Sequence, residues 1–213
     1  MSQVRKDWCR NSEWTLPARE KFFLRLSSVR DPAKYLRRKA DHLVDNNPEA
    51  ACDLLVMAAE QARRLQDRRD ALRGLARASA RCRRMPQAHD AWRAALACRS
   101  VTDPGVQIAV EYAAFITGHQ QVDRYDDAAS LLTGLDERLL DPVQRFFFHA
   151  ARAILADANA DPEQARLDAG SALTAHRRFA DTPRQFPEAA LTGDTATGLY
   201  ARLQILAGRT LAG

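Results

Sequence analysis

The sequence predicts an all-α fold in which antiparallel helix pairs stack side by side. Three observations support this prediction. Small and large apolar residues alternate at helical spacing around Met85-Pro86. Asp or Asn directly precedes Pro at five places. The alternating runs of Val, Ile and Thr that are typical of strands are lacking.

The alternation of small and large apolar residues is clearest in the two predicted helices on either side of Met85-Pro86. Leu72, Leu75, Ala76 and Ser79 fall three or four residues apart and share one face of the first predicted helix. Ala88, Trp92 and Ala95 do the same in the second. A small residue beside a large one lets two helices approach closely. This interval therefore predicts one tightly packed helix pair.

Proline placement predicts where helices begin. Asp or Asn at the N-cap accepts a bond from a free backbone N–H, and Pro at the next position loses no helical hydrogen bond. The pairs are Asp31-Pro32, Asn47-Pro48, Asp103-Pro104, Asp141-Pro142 and Asp161-Pro162. Pro17 and Pro86 indicate two more starts, and Asp67 with Asp70 resembles a capping box. The predicted helices span 17–28, 32–45, 48–66, 68–84, 87–99, 104–118, 124–135, 142–158, 162–179 and 194–207.

A small residue recurs in the second helix of each predicted pair. The four positions are Ala51, Ala88, Ala128 and Ala165, at spacings of 37, 40 and 37 residues. The residues four further on are Leu55, Trp92, Leu132 and Ala169, and those three beyond them are Ala58, Ala95, Leu135 and Ala172. This pattern resembles the tetratricopeptide repeat, whose period is about 34 residues. Such a unit needs neighbours to bury its apolar face.

That resemblance implies an α-solenoid, a tetratricopeptide-like right-handed superhelix. Residues 1–30 would form an N-terminal capping segment, residues 31–179 four helix pairs, and residues 180–213 a loop and a C-terminal capping helix. The opening WCRNSEW segment also resembles an uncharacterised bacterial family of such proteins with a WxRNxxW start. The other similar segments are Phe22-Phe23, Tyr35-Leu36-Arg37, Asn47-Pro48-Glu49, residues 124–128 and residues 149–153. The resemblance implies no activity.

Charge is distributed unevenly along the chain. The net charge is +5. Residues 1–100 hold 22 Lys and Arg against 12 Asp and Glu, a net of +10, and residues 101–213 hold 10 against 15, a net of −5. A basic front half predicts an acidic partner, and head-to-tail self-association is a second possibility.

Cysteine usage and hydropathy predict a cytoplasmic protein. Cys9, Cys52, Cys82 and Cys98 are widely spaced and form no CxxC pair, as expected of reduced thiols. The charges at the N-terminus precede no apolar run, so we expect no secretory signal. No segment approaches the roughly 20 apolar residues that span a bilayer, so we expect no membrane partner.

An arginine stripe is the main candidate site. Arg73, Arg77 and Arg81 are four residues apart, and Arg84 follows them. Resemblance to tetratricopeptide domains places them in the inner groove, where their planar forks would clamp carboxylates of an acidic peptide. The sequence thus predicts a protein–protein interaction scaffold or adaptor. One alternative is a solvated face partly neutralised by acids of neighbouring helices, and another is binding of nucleic acid by the basic half.

Catalytic and metal signatures are lacking. The chain has no GxSxG elbow, P-loop, GxGxxG or zinc-spaced Cys/His set, so we expect no enzyme, no cofactor and no metal. His149 and Arg152 share a helix face and are expected to bond an acid such as Asp168. A third hypothesis is a regulatory subunit with a small pocket near His149 and Phe146.

Two aromatic groups have structural interpretations. Trp8 and Trp14 are expected to cover the open end of the first repeat, with a partner anchor as the alternative. In the run Phe146–Phe148, we expect two of three rings to be buried, since consecutive residues of a helix point in different directions.

Overall fold

The computed structural model describes residues 8–99, 105–180 and 193–208, which form helices and turns with no strand among them. The all-α prediction is confirmed. The α-helices are α1 Leu16–Leu26, α2 Pro32–Leu43, α3 Pro48–Gln61, α4 Leu65–Arg81, α5 Met85–Ala97, α6 Val106–Gly118, α7 Tyr125–Leu132, α8 Pro142–Ala158, α9 Pro162–Ala180 and α10 Gly193–Ala207. Two short 3-10 helices span Val122–Arg124 and Glu137–Leu139. None of the helices in the described part of the chain is long and apolar enough to cross a membrane.

Proline marks the helix starts as predicted. Helices α2, α3, α8 and α9 begin at the proline of an Asp-Pro or Asn-Pro pair. Asn47 accepts a 3.1 Å bond from the Ala50 N–H. Asp141 and Gln144 form a reciprocal capping box at α8, with bonds of 2.8 and 3.1 Å. The Asp103-Pro104 pair lies outside the described residues.

The predicted capping box at Asp67 is wrong. Helix α4 begins at Leu65, so Asp67 already lies in its first turn. Asp70 instead bonds Arg37 of α2 at 2.7 Å. A rule based on the spacing of neighbouring residues cannot predict a cation on another helix. Here Arg37 of α2 bonds the carboxylate of Asp70.

Contacts divide the chain into two compact units, which we call unit 1 (Met1–Pro104) and unit 2 (Gly105–Gly213). In unit 1, α2 packs on α3, α3 on α4 and α4 on α5, and α2 also contacts α4. In unit 2, α6 packs on α7 and α8, α8 on α9, and α9 on α10. The predicted boundaries after residues 30 and 179 stay predictions, and residues 181–192 and 209–213 lie outside the described part.

Both units bury the predicted small residues completely or nearly so. Ala51, Ala88 and Ala128 are 0% exposed and Ala165 is 1% exposed. Trp92 is also 0% exposed, which makes it the largest fully buried side chain. Leu135 departs from the pattern because α7 ends at Leu132, and its side chain is half-buried in the following turn.

One glycine allows α3 and α4 to approach closely. A Cβ added at Gly74 would lie 2.8 Å from Cδ2 of Leu55, a distance that real Cβ contacts do not show. Leu55 is itself buried. The glycine therefore makes room for the leucine of the preceding helix.

Three helix-to-helix turns share one backbone geometry. Arg83, Gln120 and Ala160 have φ of 59°, 54° and 56°, in the left-handed region that L-residues seldom adopt. The next N–H in each turn bonds a carbonyl five residues back, in the Schellman pattern. These bonds run from Arg84 to Ser79, from Gln121 to Ile116 and from Asp161 to Ala156. The turns are 37 and 40 residues apart, the same spacings as the first three small residues.

The N-terminal aromatic residues face the helices. Trp8 stacks on Tyr35 with ring centroids 5.3 Å apart, and Trp14 contacts Phe22 at 5.6 Å. Lys39, which is 2% exposed, donates 2.8 Å bonds to the carbonyl oxygens of Asn11 and Glu13. Its ammonium also lies 5.3 Å from the Trp14 ring. A buried lysine thus fastens the N-terminal segment to α2.

All three rings of Phe146–Phe148 are buried, where two were expected. Helix α8 contacts α6, α7, α9 and α10. A helix surrounded on several sides can bury consecutive residues, and this is why the expectation from a single apolar face was too low.

Candidate functional site

Carboxylates of α4 itself and of residues in or next to α2 and α3 lie beside the predicted arginine stripe. Arg73 is 17% exposed at its side chain and lies 3.5 Å from Asp70 in the same helix. Asp70 also bonds Arg37 of α2 at 2.7 Å. This carboxylate therefore joins α2 to α4 through two guanidinium groups.

The rest of the stripe is paired towards α2 and α3. Arg77 is half-buried and lies within electrostatic range of Asp41. Arg81 is 2.8 Å from Asp45, just past the end of α2. Arg84, in the turn after α4, is 2.9 Å from Glu49 of α3. The acidic partners of these last two pairs are 63% and 73% exposed.

These pairs lower the net charge of the face well below what the stripe alone indicates. The five arginines are Arg37, Arg73, Arg77, Arg81 and Arg84, and the four carboxylates are Asp41, Asp45, Glu49 and Asp70. The sequence held a signal for this arrangement. Asp41 and Asp45 are four residues apart on the same period as the stripe, but nothing local shows that α2 lies against α4.

A second polar cluster lies between α8 and α9 in unit 2. Nδ1 of His149 is 3.0 Å from Oδ1 of Asp168, and its Nε2 is 3.0 Å from Oε1 of Glu137. Oδ2 of Asp168 accepts a 2.7 Å bond from Gln164 and lies 3.3 Å from Nε of Arg152. The predicted contact of His149 and Arg152 with Asp168 is confirmed. Glu137 was not predicted, because it comes from the 3-10 turn before α8.

The environment of His149 favours its protonated form. Burial alone would lower the pKa of this imidazole. Hydrogen bonds and charges from Asp168 and Glu137 outweigh burial and raise the pKa above its usual value of 6.5. A protonated ring can donate to both carboxylates at once.

A cleft of about 460 Å³ opens beside His149. Its polar lining includes Arg145 and His149 of α8, Arg166 and Ser171 of α9, and Glu137. The Nε atoms of both arginines are buried and make no hydrogen bond to any described residue. Sequence reasoning missed these arginines because they stand singly in an acidic half of the chain. The only signal was that Arg145 lies four residues before His149.

Three of the four cysteines are buried, and so is His89 of α5. His89 and Cys98 are both buried, at the middle and the end of α5. The four cysteines are free thiols, and Cys82 is half-buried. Within the described ranges, no group of three or more His, Cys, Asp or Glu side chains is placed to hold a metal ion.

Comparison with known proteins finds no matching family model, no matching curated protein and no matching solved structure. The resemblance to tetratricopeptide proteins thus stays a prediction.

Proposed function

We propose that this chain is a tetratricopeptide-like helical-repeat scaffold that binds an acidic protein or peptide segment on the face shared by α2 and α4. In this proposal the helix pairs wind into a right-handed solenoid, the protein works in the cytoplasm, and it has no catalytic activity of its own. Two observations support the repeat. Small residues and Schellman turns recur at matching spacings, and α2 contacts α4 as well as α3.

The order within the arginine face carries the binding proposal. Residues 37, 41 and 45 of the α2 side and residues 73, 77 and 81 of α4 follow the same four-residue period. The Arg81–Asp45 pair links the two rows directly, and Asp70 links them through Arg37 and Arg73. Carboxylates hold the guanidinium groups in a fixed row. Binding a partner therefore costs less side-chain entropy than it would if these arginines were mobile beforehand.

The face has an inner and an outer part with different roles. At the inner part, Asp70 joins Arg37 and Arg73, and these side chains are 32% exposed or less. We assign Arg73 and Arg77 to holding α2 and α4 in register. At the outer part, the pairs Arg81–Asp45 and Arg84–Glu49 have well-exposed acidic partners.

The outer pairs are the ones that a partner can enter. An exposed ion pair contributes about 0–1 kcal/mol, so releasing Asp45 or Glu49 in favour of a partner carboxylate costs little. A guanidinium also has five N–H donors, and one ion pair leaves several of them for a second acceptor. Arg81 and Arg84 would therefore make the direct contacts.

Fluorescence anisotropy with a labelled Glu-rich peptide tests this function. The native chain should bind the peptide, and Arg81→Glu with Arg84→Glu should weaken binding by at least about tenfold, through lost bonds and added repulsion. The matched control is Arg63→Glu with Arg68→Glu, which makes the same charge change at exposed positions away from these ion pairs.

Three results would contradict the proposal. The native chain could fail to bind the peptide, or the control could weaken binding as much as the outer pair does. The third is tighter binding of a single-stranded oligonucleotide than of the peptide, with a steep loss on adding salt. That result would favour the nucleic-acid alternative.

A further inference from the structure

We infer that the cleft between α8 and α9 binds a phosphate monoester through Arg145 and Arg166. This site lies in unit 2 and shares no residue with the face of α2 and α4. It therefore stands or falls independently of the proposed peptide binding.

The two arginines differ from their neighbours in how they are bonded. Several described arginines of unit 2 pair with carboxylates, as Arg124 does with Asp127 and Arg202 with Asp157. Arg145 and Arg166 make no ion pair with any described residue, and both line the same cleft.

Neither arginine has an acceptor for its Nε N–H among the described residues. A buried donor of a charged group without an acceptor costs about 1–3 kcal/mol or more. The Nε atoms of both arginines are in that position. Because these two Nε atoms have almost no accessible surface, a phosphate in the cleft would bond the outer Nη groups, and a guanidinium can present two N–H groups to one phosphate.

The charge of the cleft fits a dianion better than a single carboxylate. Arg145 and Arg166 contribute two positive charges, and Glu137, the acidic residue of this lining, is already bonded to His149 at 3.0 Å. A phosphate monoester carries about −1.5 to −2 at pH 7, as phosphoserine does. A single carboxylate carries one negative charge and would leave one of the two positive charges unbalanced.

Few other side chains of the cleft can donate a hydrogen bond to a phosphate. Both ring nitrogens of His149 already face carboxylates, and the hydroxyl of Thr174 donates to the Gly170 carbonyl at 2.8 Å. Ser171, which lines the cleft and is exposed, is the hydroxyl that can reach a ligand. The volume of about 460 Å³ is in the range of small-molecule sites, so an organic group can accompany the phosphate.

Isothermal titration calorimetry on the full chain tests the site, with inorganic phosphate and glycerol phosphate as probes and succinate as the carboxylate comparison at constant ionic strength. Both phosphates should bind, and succinate should bind more weakly. Arg145→Gln and Arg166→Gln should each weaken phosphate binding by at least about tenfold, the usual effect of losing a charged hydrogen bond.

The matched control is Arg177→Gln, which removes one charge from an exposed position on the same helix as Arg166. It should change phosphate affinity by less than about twofold, because a surface charge outside the cleft acts only through screened attraction. A phosphoserine peptide serves as a further arm. Tighter binding of the peptide than of glycerol phosphate would point to a modified protein as the source, and the reverse to a small phosphorylated molecule.

A second measurement covers variants that fail to fold. Phenylglyoxal modifies accessible arginines, and mass spectrometry of the native chain locates the modified residues. Phosphate should protect Arg145 and Arg166 and leave Arg177 reactive. The inference is overturned if the native chain binds no phosphate, if succinate binds as tightly, if Arg177→Gln has an equal effect, or if phosphate protects neither cleft arginine.

Discussion

The arginine stripe of unit 1 and the two cleft arginines of unit 2 differ in whether carboxylates lie beside them. Unit 1 carries most of the positive charge, yet its stripe lies opposite carboxylates, as the pairs Arg81–Asp45 and Arg84–Glu49 show. Unit 2 is acidic in sequence, yet Arg145 and Arg166 make no ion pair with a described residue. A count of charges therefore shows where arginines are numerous. The ion pairs show which arginines have no carboxylate partner among the described residues and are available to a ligand.

The carboxylates of the two units also differ in burial, and this difference can be measured. Asp168 is 5% exposed at its side chain and Asp70 is 18% exposed. Asp168→Ala should lower the free energy of unfolding by about 3 kcal/mol, because it removes the buried one of the two carboxylates that bond His149. Asp70→Ala should lower it by about 1 kcal/mol, because Arg37 and Arg73 can turn to water.

Urea unfolding followed by circular dichroism measures both values. Glu49→Ala is the control, since its side chain is 73% exposed and should change stability by less than about 0.5 kcal/mol. Equal losses of unfolding free energy for Asp168→Ala and Asp70→Ala would contradict the expected difference between the more buried and the less buried carboxylate.

The pH dependence of stability should follow His149. Burial lowers its pKa, but the bonds to Asp168 and Glu137 outweigh burial and raise it above 6.5. The stabilisation is therefore complete below pH 6.5 and is lost as the pH rises through the raised pKa. Thermal melting of the native chain and of His149→Gln across this range should show a difference that shrinks as the pH rises.

Taking the difference between those two proteins isolates His149 from His176. Burial lowers the pKa of His176, which acts in the opposite direction and is common to both proteins. A difference that stays constant from acid to alkaline pH would show that Asp168 and Glu137 do not favour the protonated ring.

Glycine substitutions in the Schellman turns should have the smallest effect on the free energy of unfolding, and the effect should be the same in both units. Arg83 and Ala160 both have φ near +60°. Replacing either with Gly should raise the free energy of unfolding by about 0.5–1 kcal/mol, because Gly has no Cβ to clash in this conformation. Ser171→Gly, inside α9, is the control and should be destabilising by about 0.5–1 kcal/mol. Opposite signs for Arg83→Gly and Ala160→Gly would show that the turns are not equivalent.

Much of the fold was predictable because its signals are local. The pairs Asn47-Pro48 and Asp141-Pro142 begin helices by capping bonds within three residues. Ala88 and Trp92 are buried as their spacing predicts. The errors arise where a second helix intervenes. Asp70 bonds Arg37 of α2, 33 residues earlier, and Phe146–Phe148 are all buried because α8 has neighbours on several sides.

The candidate sites were predicted less well, for the same reason. The contact of His149 with Asp168 was expected, but its second partner, Glu137, comes from a 3-10 turn whose position depends on packing. The cleft beside them depends on how α8 and α9 diverge, which no spacing rule describes. Arg145 and Arg166 have no periodic pattern that would distinguish them from surface residues.

The sequence by itself determined that this chain is helical, where most of its helices begin, and which small residues are buried between them. Capping bonds and the 3.6-residue period act over a few residues, so they can be read along the chain. Only the tertiary structure decided which arginines have carboxylate partners. Ion pairs form between residues that are distant along the chain, and folding alone brings Asp45 to Arg81 while leaving Arg145 and Arg166 at a cleft.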